Sequence, residues 1–270
     1  MRTKKVALAL TAIALVIAVL FVCAKKTGQQ DNTKRIGIIS AMGNEVEMLL
    51  SEAEIDHVDK IGDLEYHVGT LRGHPVVISK SGIGKVRASS GATAMLNNYN
   101  IESVMFTGIA GGVADETEVL DVVIATKLVE HDYGRMTNEG LTWTSGDPGA
   151  GVQDGEYYNA DPKLVDMAYE AASEVVGKEH AYKGVVATGD QFIASETYVK
   201  RLQDMYNAYA CEMEGASLAV VCIKYDVPFI VIRTLSDKAD GKAHESYADM
   251  GTIAAENSNK IILNMLEDME

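Results

Sequence analysis

At 270 residues the chain is long enough for one α/β domain of ordinary size with a small appendage, and its 47% apolar content suffices for a large core. A formal charge of -15 speaks against the clustered Lys and Arg surface that phosphate-backbone binding requires, so nucleic acid and anionic membrane faces are poor partners for the body of the protein. Three cysteines, Cys23, Cys211 and Cys222, form neither a disulfide framework nor a pair with metal-ligand spacing; Cys211 and Cys222 sit in apolar surroundings and read as buried thiols, with a bridge between them the less simple option.

The first element is a leader. Arg2, Lys4 and Lys5 precede an uncharged, largely apolar run over 6–24, the pattern of an export signal. Three fates stay open for this segment: cleavage after Ala24, lipidation at Cys23, or retention as an uncleaved span. The division is therefore 1–24 as signal peptide or membrane anchor, 25–33 as a polar linker, and 34–270 as the catalytic-sized domain. That domain is expected to be exported, periplasmic or tethered facing outward.

In the body, 34–40 (K-R-I-G-I-I-S) reads as a first buried strand, followed by a turn and a helix starting near Glu45. Strands are predicted over 64–71 and 75–80, joined by a turn at 72–74. A glycine loop over 81–85 opens a helix with Ala88, Ala92, Met95, Leu96 and Tyr99 at helical spacing. Strands follow over 103–108 and 119–126. The 131–161 segment, rich in Gly, Asp and Thr and holding the lone Trp143, reads as a long loop. Asp161 and Pro162 cap and start a helix through Val176. A strand over 184–188, a helix over 196–205, a strand over 208–212 with its helix to about Tyr225, a strand over 228–234 and an apolar-striped C-terminal helix complete the order. Buried strands that are continuous apolar runs, alternating with helices, give an α/β sandwich with helices on both faces.

Polar residues gather in four loops after strand ends: Glu45; 108–112; Glu212 with Glu214; and Arg233 with Ser236 and Asp237. In 208–217 (A-Y-A-C-E-M-E-G-A-S) two acids two positions apart stand between apolar halves, and burying them demands a partner or a function. A helix cap for one acid and solvent for the other is the competing reading. No G-x-S-x-G elbow, P-loop or dinucleotide fingerprint is present. Several carboxylates around one cleft suit cleavage of a glycosyl bond, with one acid for the leaving group, one base for water, and negative charge near an oxocarbenium-like transition state.

Six motifs in order, I-G-I-I-S-A-M-x-x-E-V (36–46), K-S-G-I-G-K-V (80–86), T-G-I-A-G-G (107–112), T-G-D-Q-F-I (188–193), C-E-M-E-G-A (211–216) and R-T-L-S-D-K-A-D (233–240), resemble the bacterial 5'-methylthioadenosine/S-adenosylhomocysteine nucleosidases of the purine nucleoside phosphorylase superfamily. The resemblance implies a three-layer αβα sandwich with a mixed central sheet, a homodimer, no metal and no organic cofactor. It implies hydrolysis of the N9–C1' bond to adenine and a 5-substituted ribose. By position, Asp237 would be the general acid toward N7, oriented by Ser236, and Glu45 would hold and deprotonate water with Arg233 nearby. Glu214 would bind the ribose hydroxyls. Phe192 would stack on the base, with the Ile193 backbone reading its edge and Met213 packing under the ribose. Met42, Ile83 and Tyr247 would line the 5' end. A structural ion pair of Arg233 with Glu212 or Glu214 stays open, and His131 and His244 read as surface or hydrogen-bonding residues.

Two departures stand out. Ile109 replaces a serine of some relatives near the ribose, removing a hydroxyl donor and arguing against a phosphate-using branch. Leu120 replaces a glycine expected before Asp121. The other readings are a related hydrolase of different base or 5' specificity, and a surface-exposed binding protein that keeps the fold.

Overall fold

Runs that read as buried strands form the middle of the sheet in the computed structural model, which describes residues 32–138, 140–143 and 157–269. The leader expected over 1–24, and Cys23 with it, lies outside the described residues. Among those described, no helix is long and apolar enough to cross a membrane. The chain divides into two units, Met1–Thr33 and Lys34–Glu270, and every element below belongs to the second.

Strands β1 (Arg35–Ser40), β4 (His74–Lys80), β5 (Ile101–Gly112) and β12 (Phe229–Asp237) run parallel at the centre. Strands β2 (Glu54–Ile61) and β3 (Leu64–Leu71) add antiparallel to the β4 edge. On the other side β6 (Val122–Glu130) pairs antiparallel with β12, and β10 (Ala181–Thr188) and β11 (Ala208–Glu212) follow parallel to β6. The result is the mixed sheet expected, in the order β11-β10-β6-β12-β5-β1-β4-β3-β2. Helix α2 (Lys85–Asn98) packs on α5 (Gly215–Lys224), and α3 (Pro162–Val176) packs on α6 (Ala243–Glu267), with both pairs against the sheet. Short α1 (Glu47–Glu52) and α4 (Glu196–Tyr206) complete the helices among the described residues.

One feature of the sheet positions the site. Because β6, β10 and β11 run opposite to β5 and β12, a flat sheet would put the end of β11 at the edge away from the end of β12. Instead β11 also pairs with β5, Ala210 opposite Gly112 and Cys211 opposite Gly111. The far strands thus roll round onto the extended end of β5. The ladder sets the carboxyl end of β11 beside that of β5, bringing Glu212 and Glu214 to Asp237. Strand twist makes such curling natural in a broad sheet.

The cap of α3 follows its sequence, with the Asp161 carboxylate accepting from the Lys163 and Leu164 amides at 2.9 and 3.1 Å and Pro162 in the first turn. Three segments differ from expectation. β2 has no apolar run, since E-I-D-H-V-D-K-I is a largely exposed edge strand held by the β3 ladder. The 131–161 segment contains a hairpin, β7 (Gly134–Thr137) with β8 (Gly140–Trp143), and a bridge β9 (Tyr158–Asn159) onto β6. Finally, β6 begins at Val122 and not at 119, because Leu120 adopts a left-handed backbone with φ +74°. That conformation costs a side-chain-bearing residue about 1–2 kcal/mol. Leu120→Gly is expected to raise unfolding free energy by up to about 1 kcal/mol, once glycine's own entropy cost is set against the relief. Denaturant unfolding tests this, and a loss of stability would show that the half-buried leucine side chain outweighs the strain.

Candidate active site

The ends of β1, β5, β11 and β12, with the loops after β4 and β10 and the start of α6, enclose a cavity of about 330 Å³. Its walls include Met42, Glu45, Ile83, Ile109, Phe192, Ile193, Met213, Glu214, Ser236, Asp237 and Tyr247. Of the residues proposed from the sequence, Arg233 alone is not on the wall. Ala110, Gly111, Gln191, Cys211, Glu212 and His244 join it, and were not proposed as ligands.

Glu45 sits just before α1, 2% exposed. Its Oε2 accepts from the Ser40 hydroxyl at 2.5 Å and the Met42 amide at 2.7 Å, while Oε1 accepts only a longer bond from the Ile109 amide, 3.2 Å. Oε1 is therefore the oxygen with capacity left for a water proton. Gly108 permits this packing, because a Cβ there would lie 2.9 Å from Glu45 Oε1 and 3.1 Å from Arg233 Nη1.

Glu212 and Glu214 are unequal. Glu212 Oε1 accepts from the Thr188 hydroxyl; Oε2 accepts from the Arg233 guanidinium at 2.7 Å and from the amides of Glu214 and Gly215 at 3.1 and 2.8 Å. Four donors converge on it, three of them on Oε2, and the amides are those of the α5 N-terminus, so this carboxylate holds the corner together. Glu214 lies 4.0 Å from the same Arg233 nitrogen and accepts a single hydrogen bond at Oε1, 2.7 Å from the Gly84 amide. Burial, then the neighbouring Glu212 charge, push Glu214 up to about 7, against the pull of Arg233 and the Gly84 N–H.

Arg233 lies behind this pair, 1% exposed, with its guanidinium carbon 4.3 Å from the centre of the Phe106 ring. Arg233 is the ion-pair partner of Glu212, one of the two readings left open, and its charge also acts on Glu214.

Asp237 ends β12. Its Oδ2 accepts from the Ser236 hydroxyl and its Oδ1 from the Ala239 amide, both at 2.7 Å. Burial raises its pKa above the usual value, opposed by those two hydrogen bonds. Gly111 makes room for it, since a Cβ there would sit 3.0 Å from Asp237 Oδ1. The apolar collar consists of Phe192, edge-on to Tyr247 at 6.1 Å between ring centres, with the Tyr247 hydroxyl 3.6 Å from Met42 Sδ. Ile109 Cδ1 points toward the same helix, 3.8 Å from where a Cβ on Gly251 would stand. His244 is exposed at the rim, whereas His131 is buried, with Nδ1 3.1 Å from the Tyr198 hydroxyl. Cys211 and Cys222 are both free thiols. Among the described residues no group of three or more His, Cys, Asp or Glu is arranged to hold a metal ion.

The family model of the phosphorylase superfamily matches residues 35–267. The 5'-methylthioadenosine/S-adenosylhomocysteine nucleosidase of Bacillus thuringiensis (strain Al Hakam) is 36% identical over 246 residues, covering 87% of this chain and 100% of the relative. The chain belongs to the 5'-methylthioadenosine/S-adenosylhomocysteine nucleosidase family. By that membership it is an N-ribosyl hydrolase. The nucleosidase also superimposes on the Neisseria meningitidis 5'-methylthioadenosine/S-adenosylhomocysteine nucleosidase in complex with methylthio-immucillin-A, with a TM-score of 0.79, 31% identity, and coverage of 87% and 99% of the two chains. Futalosine hydrolase of Helicobacter pylori is similar at a TM-score of 0.77 and 30% identity, with 88% and 99% covered.

Proposed function

We propose that this nucleosidase hydrolyses the N9–C1' bond of adenine nucleosides bearing a 5'-methylthio or 5'-homocysteinyl group, releasing adenine and the 5-substituted ribose. The observation that carries this reading is the convergence of three buried carboxylates with different partners, Glu45, Glu214 and Asp237, on one cavity. Asp237, kept prone to protonation by burial, gives its proton to N7 as the glycosidic electrons move onto the base. Glu214 holds the ribose hydroxyls and faces the positive charge growing on the sugar. Glu45 Oε1 takes a proton from water as the water oxygen bonds to C1'. Ser236 fixes the Asp237 carboxyl, and Arg233 acts through Glu212 and Glu214. Phe192 covers the base, the Ile193 backbone reads its edge, Met213 supports the ribose, and Met42, Ile83, Ile109 and Tyr247 form the apolar end toward the 5' group. No cofactor enters these steps.

Water, and not phosphate, is the co-substrate in this reading, because the co-substrate side presents Glu45 and Ile109, and a phosphate nucleophile calls for a cationic cradle. A product assay over a nucleoside panel tests it: free adenine released from methylthioadenosine without phosphate is expected. Ribose 1-phosphate formed only with phosphate would overturn the hydrolase step, and no release from any nucleoside would sink the enzymatic reading. The similarity to futalosine hydrolase favours one second reading, a nucleoside with a different 5' substituent, which the same panel separates.

The pH dependence follows from Glu214. The anion is the form that can stabilise a cationic sugar, and its pKa stands at about 7, so kcat/KM is expected to fall as pH drops through about 7. Glu214→Gln is expected to lower activity and to remove that limb from the profile; an unchanged limb would assign it elsewhere.

The body is proposed to be exported, on the strength of Arg2, Lys4, Lys5 and the apolar run over 6–24. It is proposed to work as a homodimer, supported by the apolar side chains at and beside the cavity mouth, Ile83, Val86 and Phe192, which are 45%, 75% and 50% exposed.

A further inference from the structure

We propose that Asp190, with Asp132 and Lys85, is a positioning device that sets the ribose-side carboxylate Glu214 from the base-side loop. This rests on Glu214 holding the ribose.

The geometry is a chain of hydrogen bonds through two successive amides. At the start of α2 the Gly84 N–H donates to Glu214 Oε1 at 2.7 Å, and the next amide, Lys85 N–H, donates to Asp190 Oδ1 at 2.8 Å. These are donors that a helix start leaves without partners inside the helix. Here two carboxylates from elsewhere in the chain share them. The Asp190 N–H in turn donates to Asp132 Oδ2 at 2.8 Å, and Asp132 Oδ1 accepts from Lys85 Nζ at 2.6 Å. Lys85 Nζ also lies 3.2 Å from Glu130 Oε1, which ends β6. The Lys85 carbonyl accepts from the Ser217 hydroxyl at 3.1 Å, tying the turn to α5. The clamp therefore joins three segments: the end of β6, the loop over 189–193 that carries Phe192 and Ile193, and the first turn of α2.

Gly84 is the hinge of this arrangement. Its φ is +101°, which residues with side chains rarely adopt, and a Cβ there would meet Asp190 Oδ1 at 3.0 Å. The loop over 81–85 is thus shaped so that Asp190 can reach the helix end, and the reach of Asp190 fixes where the Gly84 N–H points. Among the described residues the Glu214 carboxylate accepts no other hydrogen bond; Arg233 is 4.0 Å away and Glu212 and Glu45 are like charges. A small displacement of the Gly84 amide is enough to release the Glu214 carboxylate. Since Asp190 stands two residues before Phe192, movement of the base-covering loop is transmitted to the ribose carboxylate by this route.

The test compares Asp190→Ala and Asp132→Ala with Asp190→Asn, which keeps an oxygen for the Lys85 amide. The readout is kcat/KM for methylthioadenosine over its 2'-deoxy analogue, because a loosened Glu214 loses its preference for the 2'-hydroxyl. That ratio is expected to fall about threefold to tenfold in both alanine variants, toward the value of Glu214→Gln, as losing one hydrogen bond implies. Asp190→Asn is expected to stay near wild type. Equal losses on both nucleosides with an unchanged ratio, in variants that remain folded, would overturn the proposal. A second arm needs no turnover: the Glu214 carboxyl carbon, followed by 13C NMR and assigned with Glu214→Gln, is expected to titrate at higher pH in Asp190→Ala, since an N–H that favours the anion is weakened. An unmoved midpoint would overturn it equally. Absence of wild-type turnover would count against the nucleosidase reading alone and leave the NMR arm to decide this one.

Discussion

Asp237→Asn is expected to abolish turnover, by about 10²–10⁴-fold in kcat, while the nucleoside still binds. The substitution is mild in shape and severe in chemistry. An asparagine at 237 can keep its carbonyl oxygen on the Ala239 amide, 2.7 Å away in the wild type. Its amide nitrogen can then donate to Ser236 Oγ, and the Ser236 hydroxyl proton has a second acceptor in place, the Ala110 carbonyl at 3.3 Å. The corner can thus be satisfied without a carboxyl group. What disappears is the proton, which burial keeps available by raising the Asp237 pKa. Equilibrium binding of a non-cleavable adenine nucleoside analogue, measured beside single-turnover release of adenine, checks both halves. Near-normal release would remove Asp237 as the acid, and loss of binding equal to loss of rate would make it a structural residue.

Arg233→Met is expected to destabilise the fold by about 3–5 kcal/mol and to impair catalysis with it. The Arg233 and Glu212 side chains are 1% and 2% exposed, so removal of the cation strands a buried anion with no solvent to compensate. Three neutral donors remain on Glu212, the Thr188 hydroxyl and the amides of Glu214 and Gly215, but no counter-charge does. Glu214 loses the same cation and is pushed further toward its neutral form, so the acid limb of the rate profile should move to higher pH. Adding Glu212→Gln should recover part of the stability, because the second change removes the stranded charge. Denaturant unfolding of the single and double variants measures this; a loss below about 1 kcal/mol for Arg233→Met would mean the pair is worth no more than a surface ion pair.

Much of this was legible in the chain because it is written locally. Continuous apolar runs placed β1, β5, β11 and β12, and the Asp161-Pro162 pair placed the start of α3 to the residue. Short motifs after strand ends named Glu45, Glu214, Ser236 and Asp237, all of which reach the cavity wall. The β2 strand was not legible, because an exposed edge strand needs no apolar period and takes its hydrogen bonds from β3. Nor was the start of β6, which depends on a backbone sign at Leu120 that sequence pattern does not encode.

The sequence by itself thus determined which residues carry acid, base and apolar character, and in which order they follow strands. Tertiary structure decided their division of labour. The β5–β11 ladder closes the sheet and carries Glu212 and Glu214 from one edge to the other. Two acids two positions apart then part company, because Arg233, Thr188 and the α5 amides converge on Glu212 and leave Glu214 a single amide from Gly84. The α5 amides are local, but Arg233, Thr188 and Gly84 stand 21, 24 and 130 residues distant along the chain from the acids they meet. A local pattern cannot specify contacts at that separation, and it is the contacts, through burial and counter-charge, that make one carboxylate a support and the other a reagent.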